Sequence, residues 1–267
     1  MSTIKHNKKQ ELKQVIIFIL TTALVSLLCA ILIIKLPLVE DSLLYYLLFG
    51  IEAAGPSLAA ILVIVFQTDR HSLERFLVEK YTTPFKFSIC IIALLAPMVL
   101  YATAKAISVV FTPQLFSFTI QLPGVKKLLI IAWALVAEEL GWRGFLQERI
   151  ERFVGSLFTP LVVGIVFWGW HFHFYLTGAM DVPFWALLIG CVFESYGYYI
   201  IVKMSEGNVI PASIWHFSGN LFIYIFALNP DANHGNILPY VIAQCTLSLY
   251  FFAYFVFRRY GKNRYFK

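Results

Sequence analysis

The chain has 267 residues, of which 60% are hydrophobic and only 13% are charged, and its formal net charge is +6. An ordinary soluble domain has about 25% charged residues, so this composition excludes a disordered chain, a coiled coil and a water-soluble globule. We therefore expect an all-α, polytopic membrane protein in which residues 1–267 form a single membrane domain.

A helix that spans the hydrocarbon core of a bilayer needs about 20 mainly apolar residues. Eight stretches of this kind follow one another along the chain, which predicts about eight transmembrane helices. In chain order they are residues 15–39, 43–66, 87–111, 128–147, 157–176, 184–202, 209–228 and 237–257. The third stretch contains Lys105 and the fourth contains three charges, so these two depart most from a purely apolar span.

The distribution of basic residues predicts how this array is oriented. If the N-terminus is cytoplasmic, most of the 21 Lys and Arg residues fall in the two termini and the inner loops, while Lys126 and Lys127 fall in an outer loop. Because cytoplasmic loops are enriched in Lys and Arg, we expect both termini to be cytoplasmic in a multi-pass protein of the cell membrane. The net positive charge then reflects topology and anionic headgroups, and it does not indicate nucleic-acid binding.

The fourth stretch carries charges that are costly inside a membrane. A charged side chain at the centre of a spanning helix costs about 2.5–3.5 kcal/mol on insertion scales, so Glu138, Glu139 and Arg143 are functional candidates. Glu139 and Arg143 are four residues apart and can pair on one helix face. Glu138 lies about 100° round the helix without a partner on its own stretch, which suits a general base. The alternative is a structural ion network near the membrane interface.

Two histidines near the end of the fifth stretch lie about 200° apart on a helix, so only one can face a given site. His171 lies deeper and is the candidate for a site. His173 lies nearer the end of the stretch, where an interfacial, aromatic-belt position is expected. A lone intramembrane histidine can instead serve as a hydrogen bonder between helices.

The seventh stretch contributes His216 and Asn220, which are four residues apart and share a helix face. They could donate hydrogen bonds to a developing oxyanion, or act as a metal ligand and its positioner. Asn220 could also join helices. At 1.5 Å per residue, Glu138, His171 and His216 all lie about 10–21 Å deep in a core about 30 Å thick, so they can converge on one cavity if their helices are neighbours.

Two further carboxylates, Glu52 and Glu194, also lie within apolar stretches. Glu52 precedes Gly55-Pro56, which predicts a kink. Either carboxylate could line the cavity, neutralise Lys105 or have a structural role, and the sequence leaves these possibilities open.

The ordered set Glu138-Glu139-x-x-x-Arg143, Phe167-x-x-x-His171 and His216-x-x-x-Asn220 resembles the CAAX protease and bacteriocin-processing family, also called CPBP or Abi, of intramembrane proteases. Each motif alone is weak, but all three in order on successive apolar stretches form a specific combination. The resemblance covers roughly residues 125–225, which we take as the family-like catalytic core.

The resemblance implies an intramembrane endopeptidase that hydrolyses a peptide bond in a membrane-embedded, membrane-anchored or lipidated substrate. It implies that Glu138 and His171 activate the attacking water. It further implies that His216 and Asn220 stabilise the oxyanion or help to hold a metal, and that Glu139 and Arg143 orient the first motif.

The resemblance leaves the cofactor open. Glu138, His171 and His216 are a plausible set of zinc ligands by residue type. The chain lacks the His-Glu-x-x-His run that is usual in helical zinc proteases, which favours a metal-free, glutamate-dependent water step.

Two other classes of function stay open at this point. A proton-coupled transporter could use Glu52, Glu138 and Glu194 as a relay, although no inverted repeat or pair of broken helices is visible in the sequence. A non-catalytic immunity or scaffold protein of the membrane could also keep the same fold.

Overall fold

The computed structural model describes residues 8–36, 42–67, 70–112 and 120–260. These residues form helices joined by turns, with no strand among them, which confirms the all-α expectation. Several basic residues used in the topology prediction, including Lys5, Lys262, Arg264 and Lys267, lie outside the described residues.

Eleven α-helices follow one another in the described part of the chain. They are α1 (Lys8–Lys35), α2 (Leu43–Ala53), α3 (Gly55–Gln67), α4 (Arg70–Thr82), α5 (Ser88–Phe111), α6 (Val125–Ala137), α7 (Gln147–Trp170), α8 (Phe172–Leu176), α9 (Phe184–Met204), α10 (Ile210–Ile225) and α11 (Leu238–Tyr260). A π-helical turn, Leu140–Leu146, joins α6 to α7, and a short 3₁₀ turn, Asp231–Asn233, follows α10.

Exposed apolar side chains indicate a surface that faces lipid. On α1, Leu20, Leu24 and Leu28 lie one turn apart, and each is more than half exposed, at 64%, 58% and 51%. A stripe of this kind would be unfavourable in water but costs nothing against hydrocarbon. The apolar helices therefore support an integral membrane protein.

Four helical stretches are long and apolar enough to cross a membrane within the described residues: Lys8–Lys35, Ser88–Phe111, Val125–Leu176 and Phe184–Met204. A fifth is added if α2 and α3, which are bent by 61° at their junction, count as one span. The prediction of eight spans is not confirmed by this criterion, because α10 has only 16 residues and the described apolar part of α11 is also short. Eight spans and cytoplasmic termini stay predictions.

The longest of these stretches is interrupted. Val125–Leu176 has 52 residues, which would extend about 78 Å if straight, far more than a hydrocarbon core about 30 Å thick. Gly155 breaks it with φ 76° and ψ 173°, a left-handed backbone that glycine adopts without a steric penalty. The break lies between the predicted fourth and fifth spans.

Helix breaks also shape the region around the first motif. The kink predicted at Gly55-Pro56 is present as the junction of α2 and α3. Gly141 of the π-helical turn lies against Pro56, the second residue of α3. A Cβ on Gly141 would lie 2.3 Å from the carbonyl carbon of Pro56, so the turn packs directly on α3. All seven residues of that turn are buried, and π-helical turns are frequent at functional sites.

Residues after Gly155 run antiparallel to α9. The Tyr196 hydroxyl donates to the Leu157 carbonyl at 3.1 Å, and the Trp168 indole donates to the Phe184 carbonyl at 2.7 Å. Between these points, a Cβ on Gly164 would lie 2.6 Å from the Cα of Val192. The close approach brings the end of α7 and the middle of α9 to the same cavity.

Candidate active site

One cavity of about 200 Å³ brings together side chains from the second and third motifs. His171 lines it from the end of α7, and His216 and Asn220 line it from α10. Glu194 of α9 also lines it, next to the groups from these two motifs. The helices that carry the motifs are therefore neighbours around a shared space.

Glu139 is the centre of the hydrogen-bond network behind this cavity. Its Oε2 accepts from Arg143 Nε at 3.0 Å, which confirms the pairing predicted from their spacing. Its Oε1 bonds to His216 Nδ1 at 2.8 Å, a contact across 77 residues of sequence that the spacing did not predict. Glu139 and Arg143 are both fully buried, so Glu139 fixes the orientation of His216.

Arg143 is held by aromatic rings as well as by Glu139. Its guanidinium carbon lies 4.0 Å from the centre of the Tyr198 ring and 5.5 Å from that of Phe167. Its Nη1 donates to Ser195 Oγ at 3.3 Å. These contacts offset part of the cost of burying a cation, and they tie the first motif to α9.

Glu138 reaches the cavity through His216 instead of lining it. It follows the last residue of α6 and is 8% exposed. Its Oε1 lies 3.9 Å from His216 Nε2, while its Oε2 has no hydrogen-bond partner among the described residues. Glu138 therefore meets the cavity on the side of Oε1, next to His216, while Oε2 is turned into the protein.

His171 lies at the junction of α7 and α8. Its Nδ1 is 2.7 Å from the Phe167 carbonyl, and since a carbonyl can only accept, Nδ1 carries the proton. In the neutral ring, Nε2 is then the acceptor. The Phe167 ring lies near both cavity histidines, with its centroid 4.5 Å from that of His171 and 6.3 Å from that of His216.

Asn220 and Glu194 face the same space from opposite helices. Asn220 lies one turn after His216, is exposed at the cavity and has no hydrogen-bond partner among the described residues. Glu194 accepts a hydrogen bond from the Tyr101 hydroxyl at 2.7 Å. Tyr101 is a cavity residue that the sequence did not single out, since a tyrosine in an apolar helix carries no distinctive signal.

Glu52 and His173 form a second buried pair, away from the cavity. The expectation of an interfacial His173 was wrong, because its side chain is only 1% exposed and its Nε2 lies 3.5 Å from Glu52 Oε1. The break at His171 begins α8 and turns His173 inwards, where its Nδ1 bonds to the Trp170 carbonyl. Neither Glu52 nor Glu194 forms an ion pair with Lys105 among the described residues.

The proposed zinc ligands do not fit a metal site. No three His, Cys, Asp or Glu side chains within the described ranges are grouped so that they could hold a metal ion. His216 uses Nδ1 for Glu139 and turns Nε2 towards Glu138. We therefore derive no chemical step through a metal.

Comparison with known families finds one match, which covers the part of the chain that carries these motifs. Residues 120–222 match a family described as Type II CAAX prenyl endopeptidase Rce1-like. No individual curated protein matches the chain. The matched residues contain all three motifs and nearly coincide with the predicted core, residues 125–225, so the family supports a membrane-embedded peptidase. The match over residues 120–222 makes this part of the chain similar to the Rce1-like family, which is consistent with the resemblance to the CPBP family of intramembrane proteases.

Proposed function

We propose that this protein is an intramembrane endopeptidase that hydrolyses a peptide bond in a membrane-anchored or lipidated polypeptide. The observation that carries the proposal is the convergence of His171, His216 and Asn220 on one cavity, with Glu138 and Glu139 in contact with His216. Amide hydrolysis needs a base, an oxyanion site and restricted water, and a small polar cavity among apolar helices supplies all three.

The water step uses Glu138 and His171. Water that binds in the cavity loses a proton to Nε2 of His171, or to the Glu138 carboxylate beside His216, as its oxygen attacks the carbonyl carbon of the scissile bond. General-base assistance of this kind contributes about 10²–10⁴-fold to the rate. A new C–O bond forms, and the carbonyl oxygen becomes an oxyanion.

The oxyanion is stabilised from α10. The amide of Asn220 can donate to it, and a protonated His216 can donate through Nε2 while Nδ1 donates to Glu139. Loss of one oxyanion donor commonly costs about 10²–10³-fold in kcat. The intermediate then collapses: the C–N bond breaks, and the proton taken from water passes to the leaving amine.

Glu139 and Arg143 act as positioning residues. Glu139 accepts one bond from Arg143 within the first motif and makes one with His216, and Arg143 anchors Glu139 against α9. They contact residues of the cavity lining, His216 and Phe167, but do not line the cavity themselves.

The test is a cleavage assay with purified protein in proteoliposomes. The probe is a quenched fluorescent, farnesylated peptide of the CAAX type, chosen because the matched family is described as prenyl endopeptidases. We expect E138Q and H171A to lower cleavage by at least about 100-fold while the monodisperse peak and thermal transition stay unchanged. E74Q is the matched control, because Glu74 is exposed on α4, and it should cleave like the wild type.

A second readout does not depend on the choice of peptide. New N-termini in membranes from cells that express the wild type are compared by mass spectrometry with those from cells that express E138Q. Full cleavage by E138Q in either assay would refute the proposal. A wild type that cuts nothing in both would favour the non-catalytic alternative, and solute flux that the same substitution abolishes would favour the transporter.

A further inference from the structure

The charged ends of several helices meet at one face of the molecule, which we call the basic face. Ion pairs join Arg152 to Glu11, Lys80 to Glu148 and Lys203 to Glu151. These contacts bring together the start of α1, the end of α4, the start of α7 and the end of α9.

The start of α10 lies at the same face. The Val209 backbone N–H donates to the Lys80 carbonyl at 2.9 Å, and the Asn208 amide donates to the Thr83 carbonyl at 2.9 Å. α10 therefore begins at the basic face, and α9, which precedes it by a short turn, ends there.

The catalytic cavity opens at the other end of these helices. Its outer lining consists of Lys127 at the start of α6, Asp181 between α8 and α9, and Asn229 and Asp231 after α10. A hydrogen bond of 2.8 Å from the Gln121 N–H to the Ile225 carbonyl joins the segment before α6 to the end of α10. We call this end the mouth face.

The two faces are about one bilayer apart. α9 begins at the mouth face and ends at the basic face, and its 21 residues extend about 31 Å at 1.5 Å per residue, which matches a hydrocarbon core of about 30 Å. None of the basic-face residues named above lines the cavity. Among the described residues, the cavity lining therefore reaches the end of the helices at the mouth face and not at the basic face.

The distribution of Lys and Arg residues indicates which face is cytoplasmic. The described Lys and Arg residues of α1, α4, α7 and α9 belong to the parts of these helices that meet at the basic face, with the exception of Lys35 at the other end of α1. The first turn of α6 at the mouth carries only two basic residues, Lys126 and Lys127. Since Lys and Arg are concentrated in cytoplasmic loops, the basic face is the cytoplasmic one.

We infer that the catalytic cavity opens to the non-cytoplasmic side of the membrane, so that its substrates are membrane-anchored polypeptides whose cleaved segment lies outside the cytoplasm. The chemistry of cleavage rests on the proposed function, but the direction of the mouth does not. Lipidated tails that remain in the cytoplasm would meet the closed, basic face.

The first experiment determines on which side of the membrane the cavity opens, and it requires no enzymatic activity. In a chain whose Cys29, Cys90, Cys191 and Cys245 are replaced by alanine, single cysteines are introduced as A179C at the mouth and E74C on α4. Both positions are exposed. We expect a membrane-impermeant maleimide to label A179C in intact spheroplasts, and to label E74C only after lysis. The reverse pattern overturns the inference.

A second topology readout keeps the native cysteines. The full chain is fused at its C-terminus either to a fluorescent protein that matures in the cytoplasm or to a phosphatase that is active only outside it. α11 begins near the mouth face and crosses to the basic face, so we expect fluorescence and no phosphatase activity. Active phosphatase overturns the inference even if the cysteine-free chain does not fold.

The last experiment tests access of substrate. The farnesylated peptide, made impermeant by a charged reporter, is added to sealed right-side-out or inside-out vesicles. We expect cleavage at least tenfold faster in right-side-out vesicles, equal rates after permeabilisation, and none with E138Q. Faster cleavage in inside-out vesicles overturns the inference. No cleavage in either preparation counts against the proposed function, while the labelling result still decides the direction of the mouth.

Discussion

Replacing Gly141 with alanine tests whether the site depends on the contact between the π-helical turn and α3. A Cβ at this position would lie 2.3 Å from the carbonyl carbon of Pro56 and 2.4 Å from its oxygen. Carbon atoms in contact are normally about 3.5–4.0 Å apart, so the two elements must separate by more than about 1 Å. Both partners are backbone, and neither can rotate away.

The expected effect on activity is large because Glu138 and Glu139 lie only three and two residues before Gly141. Overpacking in a well-packed core costs about 1–3 kcal/mol, and a misplacement of about 1 Å can cost about 100-fold in rate. We therefore expect G141A to lower the rate of peptide cleavage by about 100-fold and to lower the thermal transition in detergent.

G169A is the matched control. Gly169 lies in α7, two residues before His171, and a Cβ there would have nothing within 4 Å. Alanine is favoured over glycine inside a helix by about 0.5–1 kcal/mol, so G169A should cleave at the wild-type rate and unfold at the same or a slightly higher temperature. A G141A variant with normal activity and stability would refute the reasoning about close packing.

Two further substitutions test the buried polar contacts. R143M leaves Glu139 without its cation, and because breaking a buried ion pair costs about 3–5 kcal/mol, we expect a strongly lowered thermal transition; a variant as stable as the wild type would contradict the role given to this pair. Y101F removes the 2.7 Å hydrogen bond to the half-buried Glu194, and a hydrogen bond to a charged group contributes about 1.5–3 kcal/mol. Thermal unfolding measures this loss too, and an unchanged transition would show that water replaces the hydroxyl.

Local patterns predicted those parts of the site that depend on one helix. The spacing of Glu139 and Arg143 predicted their pairing, because residues four apart meet on a helix even where a π-helical turn begins between them. The three motifs also predicted which helices must be neighbours, since isolated polar groups in hydrocarbon need a common polar space.

Contacts between distant helices could not be predicted in the same way. The bond from Glu139 to His216 depends on how α10 packs against α6, and no periodicity in either segment encodes it. The prediction for His173 was wrong for a related reason. The sequence from Trp170 to Phe174 predicts one continuous helix, whereas α7 ends at Trp170 and α8 begins at Phe172. The number of spans is hard to predict because a break such as that at Gly155 divides a single apolar run.

Glu138 and Glu139 are chemically identical neighbours, and shortening each in turn should separate their roles. Glu139 is held by Arg143 on one oxygen and by His216 on the other, whereas Glu138 has one oxygen without a partner in the described residues. E139D withdraws the carboxylate from two buried partners, so it should lower both stability and activity.

E138D moves the carboxylate by about one methylene while breaking no short hydrogen bond. We expect it to lower kcat by about 100-fold, because a reacting group displaced by about 1 Å loses its alignment, yet to leave the thermal transition and KM unchanged. The opposite result, in which E138D lowers the thermal transition and E139D lowers only kcat, would mean that Glu139 is the reactive carboxylate. Two side chains one residue apart can differ in this way because a helix turns about 100° between them, so one reaches across to Arg143 and His216 while the other approaches only His216, at 3.9 Å.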